Sequence, residues 1–526
     1  MYSKMDTSEM LAKDLAKGGG ITFVGIFLGI GLDYLTRIVI ARYLGVASYG
    51  LINLGLSVLV IATTISLLGL EAGTARFISF YMGQKKFGLI KKVIFSGLKM
   101  LIPLSLITMI FLIVFSENIT LGVFHEPRLV PVLKIFIWAL PFAILSRFLV
   151  ASLRGFKDMK HMILANEIWG KGSRTIVLLL LLAIGFNILG ATFAYLLSFL
   201  FTSIISFYYI QAHLKKIKIS GWSANSAASA KMSQNLLFFS LPLIIAQMLG
   251  IFRSKADTLL LGYFATAQDI GLYNAALPIA LVLPMGLHAI NRILMPCISE
   301  LYAQGDIQSV KEAYRTAARW AFYGALPLFF AIILFSQRFI TLLFGKEYLP
   351  ATLPLLILAC GSFLNVISGS FGETLIAIGR TKINMILSFS SLISSLILNI
   401  WLIPRHGIVG AAVATSISLS LMCFIGMAYL YNQFRLQPFT YNHLIFSFYV
   451  IAAFIILYVL TRIFIGQFLN WFLVPFILLS YIISLGGLFV IGGAEEIDRR
   501  ILKTVAHKAR LNVLEFSTLW SGRGRL

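Results

Sequence analysis

The sequence predicts an all-α integral membrane protein of about 14 transmembrane helices, two parallel six-helix repeats followed by two additional C-terminal helices. Three observations predict it. The 526 residues are 59% hydrophobic and only 12% charged, with a mean hydropathy of +0.91, far too apolar for a soluble chain of this length. The apolar runs are continuous and often exceed about 18 residues, whereas barrel strands would alternate over about 10. Finally, segments of the first half recur in the second at an offset of 220 to 221 residues.

In chain order, a 19-residue window broken at Gly, Pro and charge clusters places the spans at residues 21–44, 51–81, 93–115, 129–152, 161–184, 188–211, 234–262, 270–297, 314–335, 351–377, 382–403, 407–432, 441–465 and 468–492. The connections are too short to hold a folded extramembrane domain. The expected organisation is an N-lobe over 1–220 (spans 1–6), a C-lobe over 221–435 (spans 7–12), spans 13 and 14 over 436–493, and a basic tail over 494–526. In the tail Ile497, Ile501 and Val505 recur every fourth residue among Arg499, Arg500, Lys503, Lys508 and Arg510, the pattern of an amphipathic helix lying on the inner leaflet.

Lys and Arg set the topology. About 26 fall on the side of the N-terminus, from Lys4, Lys13 and Lys17 through Lys85, Arg154, Lys157, Lys215 and Lys311 to Arg435 and the tail. About 4 fall on the other side: Arg128, Arg338, Lys346 and Arg405. Both termini are therefore expected in the cytoplasm, with the chain in the cell membrane. The formal net charge of +23 is spread over every inner loop, facing anionic headgroups, so no nucleic-acid partner is expected. The first fifteen or so residues are polar, so the first helix reads as retained rather than as a cleaved signal. Cys297, Cys360 and Cys423 lie in or at the ends of spans at unrelated spacings; they read as small buried hydrophobes, neither a disulfide framework nor a metal cluster.

The repeat shows in four pairs of segments. "YGLINL" from Tyr49 is echoed by "IGLYNA" from Ile270, Ile78-Ser79 by Ile298-Ser299, Phe115-Ser116 by Phe335-Ser336, and "GATFAYLLS" from Gly190 by "GAAVATSIS" from Gly410. Six spans return the chain to its starting side, so the repeats are parallel and the substrate site is expected between them near the midplane. In this frame Asp33 falls on Arg253 and Arg37 on Asp257, at an offset of 220. Each first helix thus carries an acid and a base four residues apart, on one face, at the same depth. Charges inside a bilayer face protein or a water-filled cavity, so helices 1 and 7 are expected to line the path.

Other charges add to this set. Lys255 joins the second cluster without a mate. On span 5, Glu167, Lys171 and Arg174 form one stripe, where the second repeat has Leu387, Ser391 and Ser394. Glu71 and Arg76 on span 2 and Arg147 on span 4 are additional cavity candidates. A cavity richer in Arg and Lys than in acids suits an anion, and guanidinium suits phosphate by bidentate hydrogen bonding. The plainer reading is that such pairs tie helices together with no ligand.

The stretch "LDYLTRIVIARYLGVASYGLINLGLSVLVIATTISLLGLEAGTARFISFYMGQ" resembles the opening of the polysaccharide-biosynthesis membrane proteins, the oligosaccharide flippases, in which an A-R-x-L-G-x-x-x-Y-G segment joins helices 1 and 2. "KADTLLLGYFATAQDIGLYNAA" resembles the equivalent segment at helices 7 and 8. The resemblance runs over residues 20 to 432 and places the chain in the multidrug/oligosaccharidyl-lipid/polysaccharide exporter superfamily, with the multidrug and toxin extruders and the lipid II flippases. It implies two six-helix bundles in a V that open alternately to each side. It also implies a lipid-linked oligosaccharide substrate, on undecaprenyl or dolichyl diphosphate, moved from the inner to the outer leaflet. By the same resemblance the cavity-lining role falls on Asp33, Arg37, Arg253 and Asp257, and spans 13 and 14 correspond to the pair that grooves the lipid tail in lipid II flippases.

The expected chemistry follows. A diphosphate-linked sugar cannot cross hydrocarbon, so the protein supplies a polar path while the isoprenoid stays in lipid. Arg37, Lys171, Arg174, Arg253 and Lys255 are the expected diphosphate ligands, and Gly18 to Gly20, Pro242, Pro278, Pro284 and Pro327 candidate bending points. No cofactor and no metal is expected. Coupling to Na⁺ or H⁺ would fall to Glu373, whose nearest cation in sequence is Arg380. Glycan-assembly enzymes are the natural protein partners. An ion-coupled multidrug-type exporter is the rival within the fold. A membrane-embedded oligosaccharide polymerase or ligase is the rival of another class, disfavoured by short outer loops and by the absence of a P-loop, an HExxH or a close carboxylate pair.

Overall fold

Hydropathy alone does not say where long apolar helices turn, and the first element shows what does. In the computed structural model, helix α1 runs Tyr2–Leu67, and at 1.5 Å per residue it would extend about 100 Å, some three bilayer cores. It is broken at Gly45, whose φ of 78° is open only to glycine at low cost, and so supplies spans 1 and 2. The structure describes residues 2–216, 226–438 and 441–464. Span 14 (468–492) and the basic tail (494–526) lie outside the described residues, and so does the side chain of Pro242.

The remaining helices cover the expected spans among the described residues, with α3, α8 and α11 beginning earlier than expected. They are α2 (Leu70–Gly83), α3 (Phe87–Glu117), α4 (Leu129–Gly155), α5 (Met159–Ile163), α6 (Lys171–Ala183), α7 (Ile188–Lys216), α8 (Ser226–Phe264), α9 (Ala267–Ala280), α10 (Met285–Ala303), α11 (Ile307–Leu343), α12 (Thr352–Ile367), α13 (Phe371–Ala377), α14 (Thr381–Phe434) and α15 (Tyr441–Phe464). The 54-residue α14 is spans 11 and 12 joined through Gly407, again at positive φ. Four spans are interrupted where the sequence pattern gave one run. Span 2 breaks at Leu68 and Gly69, span 5 contains a wide π turn over Leu164–Gly170, span 8 breaks between α9 and Pro284, and span 10 breaks between α12 and α13.

The membrane environment is visible in which residues are exposed. On α3, Ile102, Leu106, Ile107, Ile110, Phe111 and Val114 are exposed while Ser96, Ser105 and Ser116 are buried, the reverse of a soluble helix. The same inversion corrects the reading of the cysteines. Cys423 is buried, but Cys297 and Cys360 are exposed, because an apolar thiol meets no penalty on a lipid-facing surface.

The repeat is written into the backbone. Eight of the thirteen residues at positive φ among the described residues form pairs 220 to 222 apart: Lys85 and Gly305, His125 and Gly345, Lys157 and Gly379, Gly185 and Gly407. Hydrogen bonds repeat with them. Ser79 donates to the Gly155 carbonyl at 2.8 Å, and its counterpart Ser299 donates to the Ala377 carbonyl at 3.3 Å. Most telling is a reciprocal contact between α1 and α9. A Cβ at Gly50 would collide with the Ala267 carbonyl, and a Cβ at Gly271, 221 residues on, would collide with the Val46 carbonyl. Residue i meets j and j meets i, as across a two-fold axis.

The chain forms two compact units. The first comprises Met1–Leu277, Ile340–Pro354 and Ser388–Ser418. Its centre is α4, where Phe136, Leu140, Ile144, Phe148 and Leu149 are buried, and Gly55 and Gly97 leave room for the rings of Phe136 and Phe148. The second comprises Pro278–Phe339, Leu355–Leu387 and Leu419–Leu526. Its core joins Leu294, Ile298, Tyr314, Phe371, Leu375 and Leu430, with the Tyr314 hydroxyl donating to the Ser368 carbonyl at 3.0 Å, where α12 ends.

Candidate functional site

The charges of spans 1 and 5 meet within the first unit. Asp33 and Arg37 lie one turn apart on α1, and Arg37 Nε donates to Asp33 Oδ2 at 2.9 Å. The other oxygen of the same carboxylate accepts from Arg174 of α6 at 2.5 Å. One acid is therefore shared between two guanidiniums on different helices. Arg174 is 8% exposed, lies over the Tyr195 ring at 4.8 Å and leaves its Nε–H without a partner. Beside these, Lys171 pairs with Glu167 at 2.7 Å, and Asn166 donates to the second Glu167 oxygen at 2.7 Å.

Local sequence explains this convergence. The π turn inserts extra backbone just before Lys171, the kind of break that membrane proteins place at working sites. Gly25 and Gly29, four residues apart on α1, have no side chain where Ile163 and Glu167 come in, so the two helices approach closely. Thr36 and Thr175 bond across the same interface at 2.8 Å.

The α8 charges are arranged differently from those of α1. Asp257 is 3% exposed; its Oδ2 accepts from the Tyr273 hydroxyl and from Thr415 Oγ1 at 3.2 Å, while Oδ1 has no hydrogen-bond partner. At the 221-residue offset fixed by Gly50 and Gly271, Asp257 is the counterpart of buried Thr36. Lys255 makes no ion pair among the described residues and lies within electrostatic reach of Arg37, Asp257 and Asp33. Arg253 is exposed. Around Asp33 the structure thus gathers Arg37, Arg174 and Lys171, with Glu167 paired to Lys171 and Lys255 within electrostatic reach.

Three predicted residues stand elsewhere in this unit. Glu71 of α2 and Arg147 of α4 form a two-point pair at 2.5 and 3.2 Å, with a third bond from Arg147 to Thr64. Arg76 lies over the Phe239 ring at 4.2 Å. Removing one member of a partly buried pair strands the other, so Arg147→Ala is expected to cost about 2 kcal/mol of stability. Glu71→Gln with Arg147→Met is expected to recover most of it, read as thermal melting in detergent. Glu373, in the second unit, is half-buried at the start of α13 and has no hydrogen bond or ion pair among the described residues.

Tyr273 and Thr415 were not singled out from sequence, and neither was Arg42. Arg42, in the A-R-x-L-G segment, donates to the carbonyls of Leu342 and, at 2.9 Å, Leu343, capping the C-terminus of α11. Its neighbours do similar work. The Ala41 carbonyl accepts from Tyr348 at 3.1 Å, Gly45 breaks the helix, and the Tyr49 hydroxyl donates to the Asn274 carbonyl at 3.2 Å. The A-R-x-L-G segment is a structural joint. Its signal was the motif itself, a lone Arg among glycine and apolar residues at a helix break.

Paired repeats of long apolar helices, with ionisable side chains held on the first helix of each, are the architecture of a multi-pass membrane transporter. The chain belongs to the polysaccharide biosynthesis protein family, whose model matches residues 15–302. A MatE model matches residues 242–401. The chain is 25% identical over 429 residues to a probable low-salt glycan biosynthesis flippase, Agl15, of Haloferax volcanii, covering 80% of this chain and 86% of that one. In fold it is similar to the lipid II flippase MurJ in an inward closed conformation, at 16% identity and a TM-score of 0.68, covering 90% of this chain and 99% of that one. It is also similar to an inward-facing multidrug resistance MATE family transporter of the MOP superfamily, at 15% identity and a TM-score of 0.63, covering 79% and 98%.

Proposed function

We propose that the protein flips a lipid-linked oligosaccharide across the cell membrane, with both termini in the cytoplasm, and that the charges around Asp33 hold its diphosphate. The observation that carries the site assignment is the single Asp33 carboxylate held between Arg37 and Arg174. An acid in that position is a resident anion. A diphosphate brings more negative charge and more acceptor oxygens to the same guanidinium forks, and Lys171, Lys255 and the unpartnered Nε–H of Arg174 add donors. Exchange of carboxylate for diphosphate keeps the Arg37 and Arg174 guanidiniums paired while the headgroup passes. The reading is transport without covalent chemistry. Family membership and the flippase relative support it.

The test is transfer of a labelled isoprenoid diphosphate oligosaccharide between leaflets of proteoliposomes. Protein-dependent transfer supports the reading; no transfer, with export of a cationic dye down an ion gradient, replaces it with the ion-coupled exporter reading. Glu373 separates driven from passive flipping. Glu373→Gln is expected to abolish acceleration by a Na⁺ or H⁺ gradient while leaving gradient-free transfer intact. Unchanged acceleration removes Glu373 from the coupling role.

A further inference from the structure

A second group of chemically active side chains lies away from the Asp33 cluster, at the turn between α4 and α5 and near the end of α7. Asp158 Oδ2 is 2.6 Å from His161 Nδ1 and 2.5 Å from His213 Nε2. All three side chains are partly buried, and their ligand atoms lie within 4.8 Å of one another. The opposite carboxylate oxygen, Oδ1, accepts the His161 backbone N–H at 3.2 Å, so Asp158 caps α5 and its Oδ2 is held toward the two rings. The rings are braced from outside. Phe156 stacks on His213 at 5.0 Å with an interplanar angle of 8°, and Tyr209 packs on His161 at 4.2 Å.

We propose that Asp158, His161 and His213 form a binding site for a divalent transition metal, Zn²⁺ in the first instance. Two imidazoles and a one-oxygen carboxylate are a three-ligand set that leaves a coordination position open, and borderline-soft nitrogen donors select Zn²⁺ and its neighbours over Mg²⁺ or Ca²⁺. Oδ1 on a backbone amide and the packed rings are the outer support that such ligands use. Metal–ligand bonds of about 2.0–2.1 Å in a tetrahedron set ligand atoms about 3.3 Å apart, so the two N···O contacts have to open by under about 1 Å. Any proton that His161 Nδ1 or His213 Nε2 donates to Asp158 is released or moves to the other ring nitrogen, and the metal takes its place between nitrogen and carboxylate.

The site has a mechanical consequence. Asp158 and His161 begin the helical run that continues through the π turn to Lys171 and Arg174, whereas His213 belongs to α7. A bound metal would pin the start of that run to α7. The neighbouring Lys157 and Lys160 are exposed and leave the ligand set itself with one negative charge.

The experiment uses the full chain purified in detergent without a polyhistidine tag, stripped with chelator and titrated with Co²⁺ and Zn²⁺. The expected result is one Co²⁺ per chain with visible d–d absorption, displaced by Zn²⁺, and a rise in melting temperature with Zn²⁺. His213→Ala and His161→Ala are expected to weaken binding at least about tenfold. His213→Gln keeps an N–H donor for Asp158 but no imidazole ligand, so it should fold as the wild type and still lose the metal. His125→Ala, remote from the cluster, should bind normally. Absence of stoichiometric metal, or equal binding by wild type and His213→Gln, overturns the proposal and leaves the three side chains as a hydrogen-bonded staple.

Discussion

Asp33→Ala is expected to stop transport and to destabilise the protein in the same variant. Its carboxylate is the bridge between Arg37 and Arg174, so the substitution leaves two guanidiniums beside each other in a poorly hydrated setting. Removing one partner of a fully buried pair costs about 3–5 kcal/mol, and the partial exposure of Asp33 brings the expectation down to about 2 kcal/mol. The second change Arg174→Leu removes the like-charge contact and should restore part of the stability. It should restore no transport, because the diphosphate ligand is gone as well. Melting therefore recovers in part in the double variant while flipping does not. Recovery of both would mean that the cluster serves folding alone.

The second large effect is expected at the reciprocal glycines. At Gly50 and Gly271 any side chain meets backbone, which cannot rotate aside as a flexible side chain can. Gly271→Ala is expected to cost about 3 kcal/mol or more, at the upper end of overpacking penalties, and to reduce the yield of monodisperse protein. Gly50→Ala should do the same. Because the two contacts are halves of one interface, the double variant should cost less than the sum of the singles, the interface having already opened. Equal, additive and small losses would show that α1 and α9 are not held by this contact.

Much of this architecture was legible in the sequence. Continuous apolar runs gave the spans, and in the described residues the helix limits of α4, α7 and α15 fall close to them. Less visible were the interruptions. Leu68 and Gly69 sit in as apolar a setting as any unbroken span, and hydropathy has no term for backbone direction. The same holds for the π turn over Leu164–Gly170, which reads as ordinary helix yet displaces Glu167 and Lys171. Of the site, the pairing of Asp33 with Arg37 follows from spacing by four alone. Its bond to Arg174 does not, since 141 residues separate the two and only packing brings α6 onto α1. Asp257 illustrates the converse. Spacing by four suggested a counterpart of the Asp33–Arg37 pair, while its Oδ2 takes hydroxyl donors from Tyr273 and Thr415, residues whose polarity sits inside apolar stretches and carries no charge signal.

The most direct test of the central claim is headgroup transfer in proteoliposomes by the wild type, by Arg37→Ala and by the double variant Lys171→Ala, Arg174→Ala, each shown to fold by melting and monodispersity. The account predicts robust transfer by the wild type, and a loss of at least about tenfold in both variants, as removal of a charge-assisted phosphate contact implies. Transfer at the wild-type rate by folded variants would contradict it, and would make these charges ties between helices rather than ligands of the diphosphate.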